Sequence, residues 1–322
     1  LSWLGEISED PAVTARLDLV VVHRDEPDRV VETISGFVRQ DDPVRILVVD
    51  NGSPPEQLVD LCRKLPDGVG LLPLGDNRGF GPAANVGWQW FLDRPDPADW
   101  LAVAPHDASA AVDCVSVLLA ELSRHPQAGL ASADVGDGLT PTVDRYIGAI
   151  PTPARVVRGW EPAGYPHGTL LVARRACLED VGMFDERYFA YCEEADLALR
   201  VRRAGWQVGV VRGAEVRNRH IGSHVAVIDY LQLRNTLLLV RDHFGRYPVT
   251  VRSIMALWQL LAGALVPSCR GPYWDPPARI RALRDFLRGR FGPPPTEIMR
   301  RSATSRTPRP RTARPTGVIG PG

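Results

Sequence analysis

The stretch Asp76–Gly87, DNRGFGPAANVG, carries Gly79, Gly81 and Ala84 at the G-x-G-x-x-G/A spacing of dinucleotide-binding loops. Glycines at such a turn let backbone approach a pyrophosphate, and the helix that follows offers its N-terminal amides to an anion. Asp99 lies twenty residues past Gly79, where an acidic ribose partner would be sought. A second cluster, Glu193, Glu194 and Asp196, opens a segment of helical periodicity within FDERYFAYCEEADLALRVRRAGW (184–206). Acids in a first turn complement the helix dipole, which by itself is sufficient reason for them.

The elements that must hold these residues are legible as a rhythm. LDLVVVH (17–23) and RILVVD (45–50) are short Val-rich runs of the kind buried in parallel sheets, and Val30, Val31, Ile34, Phe37 and Val38 between them share a helical face. The alternation continues with Leu58, Leu61 and Leu65 on a second helix, GLLPL (70–74) as a third strand and Ala83 to Phe91 as a third helix. DWLAVAPHD (99–107) is a fourth strand, with Val112, Val115, Leu118, Leu119 and Leu122 on the helix after it. Strands alternating with helices imply a parallel sheet with ligands at its carboxyl ends. A nicotinamide fingerprint follows the first strand, with its acid ending the second. Here the glycines follow the third strand and Asp99 precedes a strand, so an anionic ligand other than NAD is expected; a glycine turn that only packs a helix on the sheet is the competing reading.

From 136 to 168 proline and glycine are frequent and periodicity is lost, which reads as loops shaping the far side of a cleft. GTLLVARR (168–175) and 207–218 read as strands, and helices follow. Beyond Gly292 the chain is rich in Pro, Arg, Ser and Thr and has little to bury, so a disordered tail is expected over 293–322. Zero formal net charge and a pI near 7.2 argue against a nucleic-acid partner. The balance is uneven, with twelve arginines against three acids from Arg270 onward. Five scattered cysteines without a C-x-x-C pair read as reduced thiols, and no signal-peptide pattern opens the chain, so a cytoplasmic location is expected. The apolar run SIMALWQLLAGALV (253–266), followed by arginines, predicts contact with an anionic membrane surface; ordinary helix packing is the competing reading.

VVDNGS (48–53), NRGFGPAANVG (77–87), PHDA (105–108) and the acidic segment 184–206, in this order, resemble the family 2 inverting glycosyltransferases of GT-A fold, particularly their rhamnosyltransferase-like branch. GTLLVARR and RHIGS (219–223) extend the match, which runs from about Leu17 to His243. The resemblance implies an α/β fold of GT-A type, a Rossmann-like, mostly parallel sheet flanked by helices with a C-terminal helical extension. The glycosyltransferase domain would span 1–245, its nucleotide half about 17–125 and its acceptor and catalytic half about 126–245, with C-terminal helices over 246–292.

The implied reaction transfers a sugar from a dTDP- or UDP-linked donor to a hydroxyl of a glycan, a lipid-linked intermediate or a small natural product. The donor side would comprise Asp50 near the base, Asn77, Arg78 and Gly79 of the glycine turn, His106 and Asp107 at the diphosphate, and His167 and Gly168 beneath the sugar. The D-x-D-type position keeps only Asp107, which with His220 would hold Mg²⁺ or Mn²⁺. Glu194 would be the general base, standing where the family usually has Asp, with Glu193 in reserve. The reduced PHDA motif leaves a second expectation, a sugar-nucleotide-binding relative that has lost catalysis and acts as a scaffold.

Overall fold

The computed structural model describes residues 16–218 and 225–304. Its first half runs β1 (Leu17–His23), α1 (Pro27–Val38), β2 (Val44–Asp50), α2 (Pro55–Lys64), β3 (Gly70–Pro73), α3 (Phe80–Leu92), β4 (Trp100–Pro105), β5 (Ala108–Ala110) and α4 (Cys114–Ser123). The second half runs β6 (Ala128–Asp134), β7 (Leu139–Asp144), β8 (Gly148–Pro153), β9 (Gly159–Pro162), β10 (Leu171–Arg174), α5 (Arg175–Val181), α6 (Glu193–Arg203) and β11 (Gln207–Asn218). Four helices close the described chain: α7 (Val225–Phe244), α8 (Arg246–Leu265), α9 (Pro276–Leu287) and α10 (Thr296–Thr304).

The central sheet has the order β3-β2-β1-β4-β10-β6-β11-β5, with β9 also on β11. β3, β2, β1 and β4 pair in parallel, as their βα connections require. β10 enters antiparallel between β4 and β6, while β11 returns parallel to β6. All seven residues of β1 are buried, because helices cover both faces. One face packs against α1, α2 and α4 through Ile34, Phe37, Leu61 and Leu118; the other packs against α3, α5 and α6 through Trp88, Phe91, Leu178 and Leu197. Of the two polar residues in β1, Asp18 and His23, Asp18 is fully buried and neutralised by Arg45, whose Nε donates at 2.8 Å. Arg45 therefore pins β2 to β1, and the Ala98 amide, 2.8 Å from the same carboxylate, pins the approach to β4.

Three sequence expectations need correction. The segment 136–168 is not loop: β7 and β8 form an antiparallel ribbon, and β9 pairs with β11. Pro141 and Pro151 face each other in that ribbon, where open edges tolerate residues without an amide proton, so the alternation that marks a strand is erased. Val112 lies before α4 and is 60 % exposed, outside the helix expected to bury it. The disordered tail expected from 293 does not begin there, because α10 occupies 296–304 and Ile298 is buried in the cluster that includes Tyr230 and Leu237 of α7. A single well-placed apolar residue, with Glu297 paired to Arg281, anchors a helix that composition disguises. Residues 305–322 lie outside the described residues.

α7 joins the two parts of the chain. Leu238 and Leu239 pack with Tyr188 and Ala195, while Leu231 and Val240 pack with residues of α8, α9 and α10. The boundary expected at 245 therefore falls beside a helix that belongs to both sides.

Candidate active site

The carboxyl ends of β1 and β4 open onto a cavity of about 840 Å³, closed on the far side by α6, α7, α8 and α9. Its lining includes His23, Asn51, His106 and Asp107 from the sheet side, and His167, Gly168, Glu193 and Glu194 from the opposite wall. Six residues singled out from the sequence, His106, Asp107, His167, Gly168, Glu193 and Glu194, thus meet in one cleft, although they span almost ninety positions of chain.

Glu193 and Glu194 begin α6. The backbone entering this helix is unusual: Phe189, Tyr191 and Cys192 all have positive φ, of 67°, 68° and 74°. Each costs of order 1 kcal/mol for a residue with a side chain, so the surroundings must impose the path. Asn235 of α7 does so, its Nδ2 donating to the carbonyls of Tyr188, Ala190 and Tyr191, each at 2.8 Å. Arg234 adds a bond to the Tyr188 carbonyl. Arg234 and Asn235 together are the clamp that aims the acids. Replacing Asn235 with Ala removes the side-chain donor from the Ala190 and Tyr191 carbonyls and should cost roughly 2 kcal/mol of stability. Urea melts read that loss, and a fall in kcat larger than the loss of folded protein should accompany it; unchanged kcat would show that the clamp does not position α6.

Glu193 is buried, with Oε2 lacking a hydrogen-bond partner, and its stem packs on Gly81 of α3. Burial first, then the neighbouring Glu194, raises its pKa well above the carboxylate range. Glu194 lies deep in the cleft, where desolvation raises its pKa to about 7. Gly168 makes this position available: a Cβ there would collide with Glu194 Oε1. The third acid, Asp196, is a strut, accepting from Arg200 at 2.9 Å and lying 2.7 Å from His243 Nε2.

Opposite, the end of β4 is fixed by backbone. The His106 amide donates to Val22, and Thr33 Oγ1 donates to the His106 carbonyl. Burial lowers the His106 pKa, with Asp107 opposing, so the imidazole is neutral at neutral pH. His167 is likewise held neutral by burial and lies 3.1 Å from Thr169 Oγ1 through Nδ1. Among the described residues no three of His, Cys, Asp and Glu gather as a ligand set. Asp107 offers one oxygen ligand in the cavity, which fits a hard cation that takes its other ligands from a diphosphate and water and does not fit an all-protein cage. His220 lies outside the described residues.

The glycine turn sits one layer behind the cavity wall. Asp50 is buried, and its carboxylate accepts from the Ser53 hydroxyl and, at 3.1 Å, from the Ser53 amide. Asn51 is the residue that reaches the cavity, and its side chain ties the turn together: Oδ1 accepts from the Arg78 amide at 2.8 Å, and Nδ2 donates to Asn77 Oδ1 and the Gly79 carbonyl. The Arg78 guanidinium is about half exposed and pairs with Asp76. Gly79 has φ 99° and abuts the Phe189 carbonyl, which excludes any side chain. The turn thus packs α3 against the segment that enters α6. Asp50, Asn77, Arg78 and Gly79 are not brought onto the cavity wall.

The model for glycosyl transferase family 2 matches residues 18–182. The chain belongs to glycosyltransferase family 2. Its relatives include an N-acetylglucosaminyl-diphospho-decaprenol L-rhamnosyltransferase of Mycobacterium tuberculosis, 32% identical, with 67% of this chain and 82% of the relative covered. A low-salt glycan biosynthesis hexosyltransferase of Haloferax volcanii is 24% identical, with 71% and 76% covered. Among solved structures, a mannosyltransferase of Pyrobaculum calidifontis in complex with GDP-Man and Mn²⁺ superposes with TM-score 0.55 at 16% identity, covering 88% of this chain and 90% of that one. GalNAc-T7 with UDP, GalNAc and Mn²⁺ gives 0.58 at 14% identity, covering 87% and 57%. The fold is therefore of GT-A type, and this protein is a glycosyltransferase.

Sequence reasoning missed several residues that the glycosyltransferase places in its cleft: Asn51 as a wall residue, Tyr165 before His167, and Asp229, Arg252 and Arg279 from the C-terminal helices. Asn51 stood inside VVDNGS, where a turn residue buried behind a strand end could have been suspected. Arg252 and Arg279 carry no local signal, since arginine on a helix is ordinary until the packing shows which way it faces.

Proposed function

We propose that the enzyme transfers a hexose, rhamnose foremost, from a dTDP- or UDP-linked donor to an acceptor hydroxyl with inversion at the anomeric carbon. The observation that carries this reading is the pair Glu193–Glu194 at the mouth of α6, facing the cleft opposite Asp107, with Glu194 tuned to about 7. That value suits a base that must be unprotonated at neutral pH and still accept a proton as the acceptor oxygen attacks. The oxygen forms its bond to the anomeric carbon on the face opposite the diphosphate, the proton passes to Glu194, and the nucleoside diphosphate leaves with the bonding pair. Burial pushes the thiol of Cys192 beside it up to about 12, which favours the unreactive protonated form.

Asp107 is the proposed protein ligand for Mg²⁺ or Mn²⁺, with neutral His106 beside it. Bound there, the cation would offset charge growing on the departing diphosphate. His167 and Gly168 are proposed to lie under the donor sugar. Asp50, Asn77, Arg78 and Gly79 would shape the nucleotide side through Asn51. The intact acid pair favours transfer over a scaffold role. The mycobacterial relative supports rhamnose as the sugar and a lipid-linked acceptor, and with it a setting at a membrane; the unpaired cysteines support a cytoplasmic one.

The test is the pH profile. Activity requires the carboxylate form, so kcat/KM should fall about tenfold per pH unit below the Glu194 pKa of about 7 and level off above it. Profiles flat from pH 5 to 8 would remove Glu194 as the base.

A further inference from the structure

The side of the cavity walled by α8 and α9 contains a cation that has no counter-ion among the described residues. Arg252 of α8 lines the cleft with Nε and one terminal nitrogen buried and without hydrogen-bond partners. Arg279 of α9 lines the same wall; its Nε donates to Asp229 at 2.9 Å, and its guanidinium lies over the Trp274 ring, 5.0 Å from the centroid. Trp274 can lie there because Gly263 of α8 leaves room for its ring. Asp229 is thus engaged by Arg279, and among the described residues no carboxylate pairs with Arg252. A buried guanidinium with open donors is costly unless an anion completes it, and its fork geometry matches phosphate oxygens.

The same helix has a second face. Ile254, Leu257, Trp258, Leu261 and Leu265 recur at helical spacing along α8 and are 51–81 % exposed. At about 100° per residue, Arg252 points ~160° away from Ile254 around the axis. α8 therefore turns a cation toward the cleft and an apolar stripe toward solvent, and only 22% of its most apolar window is buried. An amphiphile with an anionic head adjoining the reacting sugar matches both faces at once.

We propose that Arg252 and Arg279 form the subsite for the diphosphate of a lipid-linked acceptor, with the exposed stripe of α8 resting on the lipid surface that presents it. This rests on the glycosyltransfer reading for the location of the acceptor, but its test reads binding and needs no turnover. The probe is farnesyl diphosphate, titrated by calorimetry into the full chain with the nucleoside diphosphate site already saturated. Arg252→Gln should weaken the probe at least tenfold while nucleoside diphosphate affinity stays within twofold. Its melting temperature should hold or rise, since an uncompensated buried cation is removed. Trp258→Glu should weaken binding to vesicles containing anionic lipid by a similar factor and leave nucleotide binding alone.

A tenfold loss of nucleoside diphosphate affinity in Arg252→Gln would instead assign the cation to the donor and overturn the proposal. So would unchanged farnesyl diphosphate binding, or inorganic pyrophosphate binding as tightly as farnesyl diphosphate, which would mark a site for free phosphate. Loss of nucleotide binding by the unaltered protein, in contrast, would count against the donor reading and leave the Arg252 comparison intact.

Discussion

Replacing Glu194 with Gln lowers kcat by about 10²–10⁴, the range associated with a positioned general base, and leaves nucleoside diphosphate affinity unchanged. The amide keeps the shape that Gly168 accommodates and cannot accept the proton. Stability should move the other way. The folded-state pKa of Glu194 is raised from 4.5 to about 7, so the folded chain holds this proton more tightly than the unfolded chain does. Stability is then lost as pH rises through that window, and at pH 8 the native protein carries the full cost of a desolvated charge. Glu194→Gln removes that cost, so its melting temperature should exceed the native value at pH 8 and approach it at pH 4. Near-native turnover would sink the assignment; a melting temperature lowered at both pH values would mean that the carboxylate holds α6 in place instead of doing chemistry.

Replacing Asp107 with Ala should cut kcat/KM by roughly 10²–10³, of the order seen when one stabilising group is removed from a developing anion. With a single carboxylate described at the end of β4, one substitution removes the protein's oxygen ligand from this part of the cleft. Calorimetry with dTDP and UDP, each with and without Mn²⁺, separates the causes. The native protein should bind nucleotide more tightly with Mn²⁺, and Asp107→Ala should abolish that difference while binding metal-free nucleotide about as well. If Mn²⁺ strengthens binding equally in both proteins, the cation is held elsewhere.

The residues of the cleft were unequally legible. Glu193, Glu194, Asp107, His106, His167 and Gly168 stood out because they fall at motif positions of the family the sequence resembles, and the fold brings all six to one cavity. The glycine turn was legible as a turn, but the packing it serves was not. Gly79 is glycine because the Phe189 carbonyl occupies the place of its Cβ, a contact between residues 110 positions apart. Asp50 looked like a ligand at a strand end and is engaged by Ser53 three residues on. Local spacing cannot separate a carboxylate that caps its own turn from one that waits for a base.

By itself the sequence determined the βα rhythm of the first half, the two-faced burial of β1 and β2, and the presence of an acid pair at a helix start. These are consequences of short-range periodicity, which is written along the chain. Tertiary structure alone decided that β10 inserts antiparallel between β4 and β6, that the Pro- and Gly-rich middle is stranded, and that Asn235 forces three residues into left-handed backbone to aim Glu194. It also decided that Arg252 faces inward while Trp258 faces out. Each depends on which distant surface a residue meets, and burial, pKa and pairing are properties of that meeting, absent until the chain has folded.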